Sequence, residues 1–145
     1  MTENPILASL ENNNLSLQDE INRLIADLYY PSESDEKIAF VEVDLPTDTP
    51  FALSSFKMFL GILPDTVASE ISLDEFFAPL LKTEDWFGEE ELAWVKSAEA
   101  LKTLMTSQLT DIVGYKLGSI EIDVYLLGKS QAGNWQGIKT KVVET

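Results

Sequence analysis

An α+β fold, with helices packed on a mainly antiparallel sheet, is the class this sequence predicts. Three observations carry the prediction. Apolar residues recur at helical spacing from Leu17 and again from Leu92, each run opened by capping or acidic residues. Alternating, β-branched and aromatic segments occupy 37–44 and most of the chain after Ile112, separated by glycine-containing turns. At 145 residues and 45% hydrophobic content the chain has the size and apolar share of one domain. A single domain over 1–145 is therefore expected, with no repeat and no internal linker.

Residues 1–15, with Asn12-Asn13-Asn14, carry no sustained period and read as a frayed or capping segment. Ser16 then stands where a helix cap belongs, with Asp19 three residues on. Leu17, Ile21, Leu24, Ile25 and Leu28 share one face of a helix of about three turns that Pro31 ends. Ser32-Glu33-Ser34-Asp35-Glu36 follows as an acidic turn. Lys37 to Asp44 is a strand, with Ala39, Val41 and Val43 alternating against Phe40, Glu42 and Asp44. Thr49-Pro50 starts a short helix whose apolar residues Phe51, Leu53, Phe56, Phe59 and Leu60 stop at Gly61. A brief strand is expected over 67–72, then a helical turn from Asp74 that ends at Pro79.

Glu89-Glu90-Glu91 opens the longest helix, with carboxylates beside its positive end. Leu92, Val95, Ala98, Leu101, Leu104, Met105 and Leu109 form its expected buried stripe. The rest is β. Ile112–Leu117 and Ser119–Leu127 form a hairpin about Gly118, with Ile120, Ile122, Val124 and Leu126 facing inward and Glu121, Asp123 and Tyr125 facing the other way. After a loop over 128–134, a last strand spans Gly137–Val143. Its Lys139 and Lys141 should lie opposite Glu121 and Asp123, each exposed pair contributing about 0.2 to 1 kcal/mol.

Composition excludes whole classes of function. The chain has no cysteine and no histidine, which removes disulfides, thiolate chemistry, and the commonest general base and metal ligand. It is not expected to be an enzyme. The net charge of −15 is concentrated in residues 1–91, with 20 acidic and 4 basic side chains against 5 and 6 in the remainder. Such a surface repels nucleic acid and membranes and attracts cationic partners, including proteins that themselves bind DNA. The same charge also serves plain solubility. The amino terminus lacks a cationic leader and no apolar run reaches eighteen residues, so a cytoplasmic protein is expected.

Each candidate motif has a bland alternative. Gly128-Lys129-Ser130 resembles the end of a phosphate-binding loop, but position 123 is aspartate where the motif needs glycine, so a hairpin loop is expected. The acidic cluster at Glu33 lacks the spacing and central glycine of a calcium loop and reads as a solvated turn. Trp86, in Glu84-Asp85-Trp86-Phe87, is either a core anchor, the commoner role before a helix, or an exposed interface residue. At the carboxyl end, Glu144 and Thr145 follow the last strand directly, so a hydroxyl and carboxylates stand on a short rigid finger. Those are hard oxygen donors of the kind that magnesium accepts; the alternative is an ordinary frayed end. Glu121 and Asp123 share a strand face and could form a carboxylate pair of the kind enzymes use, as could Asp74 with Glu75. The expected lysine pairing argues against it.

Val124-Tyr125-Leu126-Leu127-Gly128, Ala132-Gly133-Asn134-Trp135 and Gly137 through Thr145 together closely resemble the carboxyl-terminal signature of the nuclease A inhibitor family. Tyr115-Lys116-Leu117-Gly118 and 120–123 extend the match to roughly the last 35 residues. Ser32-Glu33-Ser34, Asp74-Glu75-Phe76-Phe77 and Asp85-Trp86 resemble its other landmarks, in order. The resemblance implies a three-layer α/β/α sandwich that caps the active site of a secreted, sugar-non-specific, magnesium-dependent ββα-metal nuclease in a 1:1 complex, protecting the producing bacterium. It carries no cofactor. It also implies partner-binding roles for Glu33, Trp86 and Thr145, with Ser32, Ser34, Asp85 and Glu144 beside them. Thr145 would approach a metal only indirectly, through the one held by the nuclease. One departure bears on Glu33: the family follows its Ser-Glu-Ser turn with an aromatic-proline step, whereas Asp35-Glu36-Lys37 follows here. The alternative function is an acidic protein-protein interaction module, or a paralogue that kept the fold for a different basic target.

Overall fold

The computed structural model describes residues 16–144 apart from Ala132. The expected frayed segment 1–15 and the carboxyl-terminal Thr145 lie outside the described residues. In chain order the elements are α1 (Leu17–Ile25), β1 (Tyr29–Tyr30), β2 (Glu36–Lys37), β3 (Ala39–Val43), α2 (Leu53–Leu60), β4 (Ala68–Glu70), α3 (Leu73–Leu81), α4 (Glu89–Gln108), β5 (Thr110–Leu117), β6 (Glu121–Lys129) and β7 (Trp135–Val143). Strands β3-β7-β6-β5-β4 form one antiparallel sheet, and β1-β2 form a separate two-stranded hairpin. The α+β class is as the sequence predicts.

The sheet has apolar side chains on both faces. Ile122, Val124 and Leu126 of β6 join one core with Ile21 and Ile25 of α1, Phe76 and Phe77 of α3, and Ala98, Leu101 and Met105 of α4. The alternate residues Tyr125 and Leu127 join a second core with Val43, Trp135 and Phe56 of α2. Because successive strand residues point to opposite faces, helical elements meet both sides of the sheet. The expected facing holds, with Ile122, Val124 and Leu126 on one side and Tyr125 on the other, and the Tyr125 side is itself covered: Tyr125 is 7% exposed and Leu127 fully buried. Ile120, expected to face inward, is 59% exposed because β6 begins one residue later and Ile120 sits in the turn.

Local signals place most helix ends. The Ser16 hydroxyl accepts the Asp19 amide at 3.1 Å, and Gly61 closes α2 in the left-handed conformation at φ 72°. α1 stops at Ile25, however, well before Pro31, because the Tyr29–Tyr30 backbone is taken into the β1-β2 ladder. α2 begins after Ala52 rather than at Pro50, and Phe59 is 44% exposed while Leu53, Phe56 and Leu60 turn to the second core.

α3 does not end at Pro79 but runs through it to Leu81. A reciprocal capping box starts it: the Ser72 hydroxyl accepts the Glu75 amide, and the Glu75 carboxylate accepts the Ser72 amide. Burial of Phe76, Phe77 and Leu80 offsets the hydrogen bond that proline cannot donate. In α4 the stripe holds except at Leu92, which is 42% exposed in the first turn.

The expected strand over 37–44 divides at Ile38, whose side chain is buried in the first core. β6 and β7 run further into the connecting loop than expected, through Lys129 and from Trp135. Their register is displaced by two residues from the expected one: Lys141 lies opposite Asp123 and Lys139 opposite Tyr125, while Val143 faces Glu121. The ion pair forms diagonally, from Lys141 Nζ to Glu121 Oε1 at 3.3 Å. Gly137 is required here, since a Cβ would overlap the Leu126 carbonyl oxygen of the neighbouring strand.

Candidate functional site

The acidic turn between β1 and β2 is a built structure. Ser32 Oγ donates to the Ser34 carbonyl at 2.7 Å and accepts the Ser34 amide at 3.2 Å. It also accepts the Val143 amide at 3.3 Å, from the end of β7. One donor and two acceptor lone pairs are thereby all engaged. Ser34 Oγ donates to Glu36 Oε2 at 2.6 Å. Glu33 sits exposed at the tip of this turn.

The carboxyl-terminal end is held as firmly. Successive amides of an extended strand point to opposite edges, and here both find partners. The Val143 amide reaches Ser32, while the Glu144 amide donates to the Ile120 carbonyl at 2.9 Å. The Glu144 side chain meets Lys116 Nζ of β5 at 3.1 Å. Glu33, Lys116, Val143 and Glu144 line one open concavity of about 470 Å³. The segment leading to Thr145 thus emerges beside Glu33.

Trp86 lies between α3 and α4. It is 71% exposed, so it is not the core anchor that its position before a helix suggested. Its ring meets Phe87 edge-on at 4.7 Å, within a turn closed by the Phe87 amide on the Glu84 carbonyl at 3.0 Å. Asp85 is exposed in that turn. Trp86 flanks a second groove of about 620 Å³ floored by Leu28, Leu80, Phe87 and Val95 and edged by Asp27, Asp35, Glu84 and Glu91. Its one lysine, Lys82, is paired with Glu84 at 3.2 Å.

Pro31 and Pro79 line both concavities, which are therefore neighbours. Buried Tyr30 stiffens this junction, its hydroxyl donating to the Phe76 carbonyl of α3 at 2.6 Å. Burial pushes that phenol up to about 12, so it stays a neutral donor at physiological pH. Glu33, Trp86 and Glu144, far apart in sequence, accordingly lie along two adjoining concavities.

The groove also exposes aromatic residues that sequence reasoning passed over: Tyr29, 52% exposed, and Trp94, 39% exposed. A signal existed for both. In Tyr29-Tyr30 a strand must turn one ring outward, and Trp94 falls one position off the Val95 stripe.

Three of the four carboxylates weighed for catalysis are engaged structurally. Asp74 pairs with Lys102 at 2.8 Å, Glu121 with Lys141, and Glu75 caps α3. The Ser72 backbone and side-chain hydrogen bonds hold the Glu75 carboxyl below its ordinary range. Among the described residues no group of three or more acidic side chains is gathered as a metal site would need, and no helix is long and apolar enough to cross a membrane. Gly128 and Lys129 lie within β6, and Ser130 closes a hairpin loop, its amide donating to the Asn134 carbonyl at 2.9 Å.

No curated protein matches the chain. A family model does, over residues 15–145, which takes in the acidic turn, the exposed tryptophan and the anchored carboxyl end together: the chain belongs to the family of nuclease A inhibitor-like proteins.

Proposed function

We propose that the protein is a stoichiometric inhibitor of a sugar-non-specific, magnesium-dependent ββα-metal nuclease, capping that enzyme's active site with Thr145 and the acidic surface around Glu33. Family membership supports the inhibitor role. The observation that carries the mechanism is the bond from the Val143 amide to the Ser32 hydroxyl, which joins the acidic turn to the carboxyl-terminal strand. Glu33 and the approach to Thr145 then share one concavity.

In this reading Glu33 pairs with a cationic side chain that otherwise holds DNA. Thr145 and its carboxylate occupy positions of phosphate oxygens near the nuclease's metal. Trp86, with the neighbouring groove, supplies the desolvated apolar contact, and the acidic half of the chain accelerates encounter. The protein acts by binding rather than catalysis, as a single unit, in the cytoplasm of the producing bacterium.

Deleting Thr145 tests the mechanism once both proteins are shown to fold by circular dichroism. Loss of inhibition by the truncated form supports the capping terminus, and equal strong inhibition by both forms moves the contact elsewhere. The charge concentrated in residues 1–91 favours one second reading, an acidic module for a different basic target. That module predicts affinity that collapses with salt and ignores Thr145, whereas a packed central contact at Trp86 retains much of its affinity.

A further inference from the structure

We infer that Ser32 and Lys116 are positioning residues that pre-set the carboxyl-terminal segment for its target; the inference rests on the capping mechanism proposed above. Three contacts converge on two consecutive residues. The Val143 amide is taken by Ser32 Oγ at 3.3 Å on one edge of β7. The Glu144 amide is taken by the Ile120 carbonyl at 2.9 Å on the other. The Glu144 carboxylate is held by Lys116 Nζ at 3.1 Å.

A segment that must order on binding loses affinity to the entropy of ordering. Here the last residue before Thr145 is restrained through both backbone and side chain. Two features show that these side chains serve the tail rather than the solvent. The Ser32 hydroxyl has no hydrogen-bonding capacity left for a partner. Lys116 projects from β5 on the Val124 side of the sheet, with its side chain 28% exposed, and meets the more exposed Glu144 across the concavity. A lysine in the middle of an acidic capping face would otherwise oppose the cationic surface that face is to meet. Paired with Glu144, it instead orients the terminus while its charge is neutralised.

The two roles separate in a double-mutant cycle. Lys116→Met, Ser32→Ala and their combination are made in the full-length chain and in the chain lacking Thr145. Lys139→Met is the charge-matched control, since Lys139 is exposed on β7 opposite Tyr125, away from the tail contacts. Unfolding midpoints establish that each variant folds. For a partly exposed pair, K116M should raise the inhibition constant of the nuclease about two- to five-fold, mostly through faster dissociation. S32A combined with K116M should raise it about ten-fold, and K139M should leave it nearly unchanged. In the chain lacking Thr145, K116M and S32A should have no further effect.

Equal effects with and without Thr145 would mean direct contact or charge alone, and would overturn the inference. A second readout is independent of any nuclease: amide hydrogen exchange at Glu144 and backbone relaxation at Thr145 in the free protein. K116M and S32A should accelerate the first and increase the mobility of the second. Unchanged exchange and mobility would overturn the positioning role even if inhibition persists. A tail loosened by these variants in a protein that inhibits no such nuclease would instead refute the capping mechanism and leave the structural restraint standing.

Discussion

Replacing Trp86 by alanine removes a ring that is 71% exposed and should separate binding from folding. A tryptophan presents roughly 250 Å² of surface, so about 175 Å² of it is open to a partner. At about 25 cal/mol per Å² its complete burial is worth at most about 4 kcal/mol. After side-chain ordering and incomplete coverage, about 2 to 3 kcal/mol remains, the range of an interface hot spot. The inhibition constant should therefore rise about 30- to 160-fold. Stability should fall by about 0.5 to 1.5 kcal/mol at most, the value of the edge-on contact with Phe87. Trp135→Ala is the matched control. That ring is 1% exposed, packs edge-on against Phe51 at 4.9 Å, and donates from Nε1 to the Pro46 carbonyl at 3.0 Å. Its loss should cost about 3 to 5 kcal/mol of stability. Urea unfolding followed by circular dichroism and titration of nuclease activity read the two quantities separately. An unchanged inhibition constant for W86A, at native stability, would refute the assignment of the exposed groove to the interface.

Other predictions concern the frame that holds the site. Gly137→Ala should cost about 3 kcal/mol or more, since the added methyl meets the Leu126 backbone rather than a movable side chain; urea unfolding measures it. Glu75 has a folded-state pKa below its usual value. Its contribution to stability is thus present above about pH 4.5 and lost as pH falls through the folded value. Glu75→Gln should flatten the acid limb of the melting temperature below about pH 4.5. Tyr30 is raised to about 12 by burial, so its contribution is present below its ordinary value of 10.0 and lost as pH rises through 12. Tyr30→Phe should cost about 1 kcal/mol at neutral pH through the lost bond to Phe76, and should reduce the alkaline loss of stability.

Much of the frame was legible because the signals are local. Ser16 with Asp19, the glycine at position 61 and the Val95-Ala98-Leu101-Met105 stripe each act over one or two helical turns. That β6 and β7 pair was legible because they are neighbours in sequence with apolar alternation, but their register was read two residues off, since a shift of two keeps every side chain on its face. The second core was implied by the family resemblance but was not legible in the strand pattern. Val124 to Leu127 is continuously apolar, and a period-two pattern cannot show that a strand is covered on both faces. Pro79 misled for a related reason: a helix interrupted by proline locally is sustained by the burial of Phe76, Phe77 and Leu80 against other elements.

The sequence by itself determined the chemistry. It supplied a strongly acidic composition without histidine or cysteine, the acidic turn at Glu33, the Trp86 landmark and Glu144-Thr145 following directly on a strand. Tertiary structure decided that these belong together. The contact between Ser32 and Val143 spans 111 positions, and the pairing of Lys116 with Glu144 spans 28. Whether Trp86 points into the core or into solvent was likewise settled by the turn that joins α3 to α4, which leaves its ring exposed. Residue types and short periods encode which groups a chain has to offer. Where those groups meet depends on the burial of two cores against one sheet, a cooperative property that no local window of sequence contains.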